Sequence, residues 1–102
     1  MASLSVISWR DIPAQVTAKA GRRTAKAELP GRFAEAIDAA AMRAGATGTD
    51  AYLAEWRRSD PSPCGDDLER AVAEAVSTLD RSYGMERLRL LVQSGGREAA
   101  PT

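Results

Sequence analysis

Four short stretches of this 102-residue chain carry the residue types that chemistry uses. Cys64 lies in Pro63-Cys64-Gly65-Asp66, beside an expected helix start, where a thiolate would be favoured and the thiol reactive. The chain has no histidine and no second cysteine to serve as base or resolving thiol, so an ordinary thiol is the better reading. Asp66, Asp67 and Glu69 cluster as carboxylate ligands would, but capping and the helix dipole already account for acids at a helix start, and no metal is expected. Gly45-Ala46-Thr47-Gly48-Thr49 lacks the spacing and the lysine of a phosphate loop and reads as a turn and cap. Without imidazole the commonest general base and the commonest metal ligand are missing, so neither a catalytic residue nor a cofactor is expected.

The densest group is Trp9-Arg10-Asp11-Ile12-Pro13-Ala14-Gln15. Two readings of it stay open. Arg10 and Asp11 can satisfy each other or the strand ends as a structural latch. Alternatively Trp9, Arg10, Asp11 and Gln15 face a partner, since tryptophan and arginine are the residues that most often anchor interfaces.

The elements that must position these residues follow from periodicity. Leu4 to Trp9 alternates and is rich in β-formers, which predicts a strand that Arg10-Asp11-Ile12-Pro13 breaks. Two further strands around Gly21 form a hairpin, with Val16, Ala18, Ala25, Ala27 and Leu29 inward and Gln15, Thr17, Lys19, Lys26 and Glu28 outward. Pro30 opens a helix whose apolar face is Phe33, Ile37, Ala40, Ala41 and Ala44 and which Gly45 stops. A shorter helix over 51–58, capped by Thr49 or Asp50, would present Tyr52, Leu53 and Trp56. Residues 59–65 read as a linker. A long helix from about Asp67 to Ser82 carries Leu68, Val72, Ala75, Val76 and Leu79, ending or kinking at Gly84. Met85 to Gln93 fits helix or strand by pattern; its good helix formers select helix. The result is one α+β domain over 1–93, a small antiparallel sheet of about three strands packed by three to four helices, with residues 94–102 as a disordered tail.

Charge narrows the function. The net charge is zero, yet Arg10, Lys19, Arg22, Arg23, Lys26 and Arg32 outnumber Asp11 and Glu28 in the first 32 residues, a local charge of +4 that the rest balances. That puts Lys19, Arg22, Arg23 and Lys26 on the hairpin as a solvated face or a contact for an acidic partner. A neutral total and 5% aromatic residues count against nucleic-acid binding through this hairpin, the third-ranked reading. No apolar run reaches the roughly 18 residues of a membrane helix, and Met1 to Ser5 has no basic segment before an apolar one, so a cytoplasmic protein is expected.

Trp9-Arg10-Asp11-Ile12-Pro13-Ala14-Gln15-Val16, then Leu29-Pro30, Arg32-Phe33, Ala36-Ile37-Asp38, Ala40 to Arg43, and Tyr52-Leu53 with Trp56-Arg57, resemble the small bacterial "virulence factor" domain. The likeness is close over 8–58 and looser beyond. The family occurs as short stand-alone proteins and resembles a terminal part of the staphylococcal conserved virulence factor C. The resemblance carries no catalytic residues. It implies an accessory role beside folate- and cobalamin-dependent methyl-transfer proteins in one-carbon metabolism.

The expected function is therefore a non-catalytic interaction module or small accessory subunit of a larger bacterial assembly. Its partner would be a larger protein, a methyl-transfer or folate enzyme among the candidates, with self-association also open. The contact residues would be Trp9, Arg10, Asp11, Gln15, Lys19, Arg22, Arg23, Lys26, Tyr52 and Trp56.

Overall fold

The computed structural model describes residues 2–46 and 48–97; Met1, Thr47 of the Gly/Thr-rich turn, and the part of the expected tail from 98 on lie outside the described residues. The alternating N-terminal run forms β1 (Ser3–Trp9), which pairs antiparallel with β2 (Ile12–Ala20), and β2 in turn pairs with β3 (Arg23–Glu28) around Gly21, whose φ of 62° suits the tight turn. Val16 and Ala18, facing inward from this sheet, are fully buried.

The β1/β2 register is interrupted by one residue. Ile7 pairs with Gln15 but Ser8 pairs with Pro13, so Ala14 is extra on β2. A one-residue slip exchanges the two faces of a strand. Val16 and Ala18 therefore contribute to one core and Ile12, also an even-numbered residue, to the other. Pro13, which cannot donate to a ladder, occupies this irregular stretch. The Ala14 carbonyl accepts from the Leu29 backbone at 3.0 Å and carries the chain into the first helix.

That helix, α1 (Gly31–Arg43), is N-capped by Pro30, and its buried stripe is Phe33, Ala36, Ile37, Ala40 and Ala41. It stops where Gly45, at φ 75°, lets Gly45 and Ala46 donate back to the Met42 and Ala41 carbonyls. The expected helix over 51–58 is corrected by the structure. α2 is only Thr49–Leu53, N-capped by Gly48, and Trp56–Arg58 forms β4 on the free edge of β1. The cause is tertiary: Trp9 pairs with Trp56, Ser8 with Arg57 and Ile7 with Arg58, and these ladder bonds outweigh local helix propensity. The expected linker likewise contains β5 (Ser62–Pro63), paired with Ser3 and Leu4. Sheet order is β3-β2-β1-β4, with β5 also on β1, so the sheet, expected with about three strands, has five.

α3 (Leu68–Ser82) covers one face of the hairpin, its first turn capped by the Asp67 carboxylate accepting from the Arg70 N–H at 3.1 Å. Such a cap contributes about 1 kcal/mol. Gly84 ends the run, and Met85–Gln93 is helical, α4, packed on α1. Two cores result: Trp9, Ile12, Phe33, Ile37, Leu88 and Leu91 in one, Val16, Ala18, Leu68 and Val72 in the other, with Val76 and Leu79 touching both. The architecture is α+β, an antiparallel sheet with four helices.

Gly95 and Gly96, expected within the tail, are packed. Gly95 and Gly96 adopt φ of 69° and 93° and donate to the Val92 and Leu91 carbonyls, ending α4 as Gly45 ends α1. Both glycines are buried. Among the described residues no helix is long and apolar enough to cross a membrane.

Candidate functional site

The residues singled out from the sequence fall into three separate places. The first is the β1–β2 turn, a two-residue loop of Arg10 and Asp11. Arg10 has φ 52°, a left-handed conformation that a side chain disfavours by roughly 1–2 kcal/mol. Its surroundings hold it there. Its N–H donates to the Glu55 carbonyl at 3.0 Å, and its own carbonyl accepts from Arg57 Nη2 at 2.8 Å. Its guanidinium donates to the Gly95 carbonyl at 2.8 Å, pairs with the Glu55 carboxylate at 3.4 Å and lies 4.9 Å over the Trp9 ring. Asp11 donates its N–H to the Gly96 carbonyl at 2.8 Å and pairs with Arg57 at 2.9 Å. The turn is a latch joining β1, β4 and the end of α4.

Trp9 belongs to that latch and not to a contact surface. It is fully buried, and its indole N–H donates to the Tyr52 carbonyl at 2.9 Å. Removing the Arg10 side chain should cost about 2 kcal/mol, because its pair with Glu55 is mostly shielded and the Gly95 carbonyl loses its donor. Arg10→Gly should cost about 1 kcal/mol less than Arg10→Ala, since glycine accepts the positive φ without strain. Urea unfolding of the two variants checks this; equal losses would mean that Arg10 is not strained.

The second place is a cavity of about 240 Å³ where β1, the β2–β3 ladder, α1 and the α2–β4 turn converge. Tyr52 and Trp56 meet there edge to face, with ring centroids 5.9 Å apart and planes at 84°. Trp9 stacks on Tyr52 at 5.9 Å and 25°, fixing the phenol ring from the core side. Gln15 is half-buried beside them, and Ile7, Leu29 and Ile37 supply apolar wall. Tyr52 and Trp56 were expected as neighbours along one helix; they meet instead across the turn joining α2 to β4. The sequence reading missed the two carboxylates lining this cavity, Glu28 and Asp38. Glu28 arrives through the Gln15↔Glu28 register pair, and Asp38 through its place beside Ile37 on α1. The outward alternation of β3 could have signalled Glu28; nothing local marks Asp38.

The third place is the outer hairpin. Lys19, Arg22, Arg23 and Lys26 are all exposed, and among the described residues β3 is an outer strand with β2 on one side only. Arg23 donates to the Asp66 carbonyl at 3.4 Å. Cys64 is half-buried against the second core, and its backbone N–H donates to the Ala2 carbonyl at 3.2 Å.

No curated protein and no solved structure matches this chain. A family model described as "Virulence factor" matches residues 7–92, which runs from the end of β1 through the Arg10-Asp11 turn and the aromatic cavity and includes α1 and α3 whole. By that match over most of its length, the chain belongs to the virulence factor domain family.

Proposed function

We propose that this domain is a non-catalytic interaction module, an accessory subunit that receives an extended acidic segment of a larger protein along β3. The observation that carries the reading is the edge itself. Among the described residues β3 pairs with β2 only, and a trough of about 630 Å³ runs between it and α3, with Ala25, Ala27, Val72, Ala73 and Val76 along it. An added strand would satisfy the open backbone groups of β3 and place alternate apolar side chains against Val72 and Val76. Lys19, Arg22, Arg23 and Lys26 surround that edge and favour carboxylates on the incoming segment, which also speeds encounter. Pairing of two β3 edges centred on Lys26 would oppose like charges, so a different protein suits the edge better than a second copy.

Affinity capture with the tagged chain from cells that encode it, at low and high salt, tests the reading. The unaltered chain should retain a stoichiometric protein at low salt. The Arg23→Glu/Lys26→Glu variant, with an unchanged thermal midpoint, should lose it, and β3 amides should gain hydrogen-exchange protection in the complex. Retention by the charge-reversed chain, or an empty eluate, overturns the proposal. A folate or methyl-transfer protein recovered in this way would identify the assembly as one of one-carbon metabolism.

A further inference from the structure

The geometry of the second place points to a different ligand chemistry. We infer that the cavity walled by Tyr52 and Trp56 binds an organic cation, an alkylammonium or guanidinium group. Tyr52 and Trp56, their planes at 84°, both line the cavity, and a cation seated against an aromatic face there is attracted by the ring quadrupole. Glu28 and Asp38 supply two negative charges to the same cavity, and neither makes an ion pair among the described residues. Ile7, Leu29 and Ile37 provide an apolar surface suited to the methylene stem that carries such a group. The volume of about 240 Å³ is ample for a four-carbon ammonium chain.

The pocket is also pre-formed. Tyr52 is backed by the Trp9 ring and tethered through its carbonyl to the Trp9 indole, while Trp56 is held in register opposite Trp9 on β1. Little side-chain freedom remains to be lost on binding, which favours affinity. The electrostatics here are opposite to those of the cleft beside Arg10, Arg57 and Arg58, where arginines predominate. The inference is independent of strand addition at β3, because the pocket lies between the sheet and α1 and the trough lies between the sheet and α3.

The test is titration of the isotope-labelled chain, following the Trp56 indole N–H signal, with n-butylammonium chloride, with acetyl-Ala-Lys-Ala-amide, and with sodium butyrate as the anionic control. Saturable shifts with a dissociation constant near the millimolar range are expected for the ammonium. Glu28→Gln and Asp38→Asn, both at exposed positions, should each weaken binding about three- to fivefold while the fold persists. Trp56→Leu, checked for folding by its dispersed spectrum and followed through the Gln15 and Tyr52 backbone amide signals that shift in the unaltered chain, should abolish it. A peptide binding at least tenfold more tightly than butylammonium would place the cation on a protein side chain; equal affinities would identify a small free amine. No saturable shift at tens of millimolar, equal shifts with butyrate, or unchanged affinity in the double carboxylate variant overturns the inference.

Discussion

Trp9→Ala should destabilise the domain by about 3–5 kcal/mol, the largest loss expected of any single truncation here. Trp9 is the largest fully buried side chain, and three elements are built against it. Tyr52 stacks on its ring, Arg10 lies over it, and Gly96 approaches it closely. The substitution opens a cavity and also leaves the Tyr52 carbonyl without the indole donor. A domain of this length has roughly 5–15 kcal/mol in total, so the variant should be partly unfolded at moderate temperature. Urea unfolding followed by circular dichroism measures the change, and Trp9→Phe, which keeps an aromatic body but no donor, should fall between the two. A loss below about 1.5 kcal/mol for Trp9→Ala would show that the ring is not central to the core.

Gly96→Ala should cost roughly 2–4 kcal/mol although it adds a single methyl group. A Cβ at that position would stand 2.8 Å from Trp9 Cζ3 and 3.2 Å from Cε3. The φ of 93° adds a conformational penalty of its own. Gly95→Ala is the informative control. Its Cβ would meet the Ala44 methyl at 3.2 Å, a tight contact with a small group, so its loss should be about 1–2 kcal/mol. In a Trp9→Leu background the steric part of the Gly96→Ala penalty should fall away, leaving the φ cost. The double-mutant cycle therefore predicts a coupling of at least about 1 kcal/mol. Additive losses would mean that ring and glycine do not touch in solution.

Both predictions concern a feature that local sequence reading could only half see. The Trp9 to Gln15 segment was conspicuous, and the latch was one of its two readings, but Gly95 and Gly96 read as tail because their partners are 85 residues away along the chain. α1 was legible from end to end, since Pro30, the Phe33/Ile37/Ala40 stripe and Gly45 are all local signals. The 85–93 segment, ambiguous by pattern, follows its helix propensity. β4 and β5 were not legible. Trp56-Arg57-Arg58 has no strand pattern of its own and is extended because β1 offers an open edge. The bulge at Ala14 was hidden for a similar reason: alternation assigns Ile12 and Val16 to one face, and only the pairing register separates them. At the cavity, Gln15, Tyr52 and Trp56 stood out by residue type, whereas Glu28 and Asp38 became relevant only once β3 and α1 were placed beside them.

The tie between residues 9–11 and 95–96 also bears on how the chain is made. The β1–β2–β3 hairpins are local and can form as soon as the first 30 residues have emerged from the ribosome, but Trp9 then has no lid. Its covering glycines are translated about 85 residues later, and the exit tunnel delays them further. Nascent chains of this protein therefore carry the indole without that cover until residues 95 and 96 have emerged, and closure waits on one long loop. Chaperone contact should concentrate on that early hairpin.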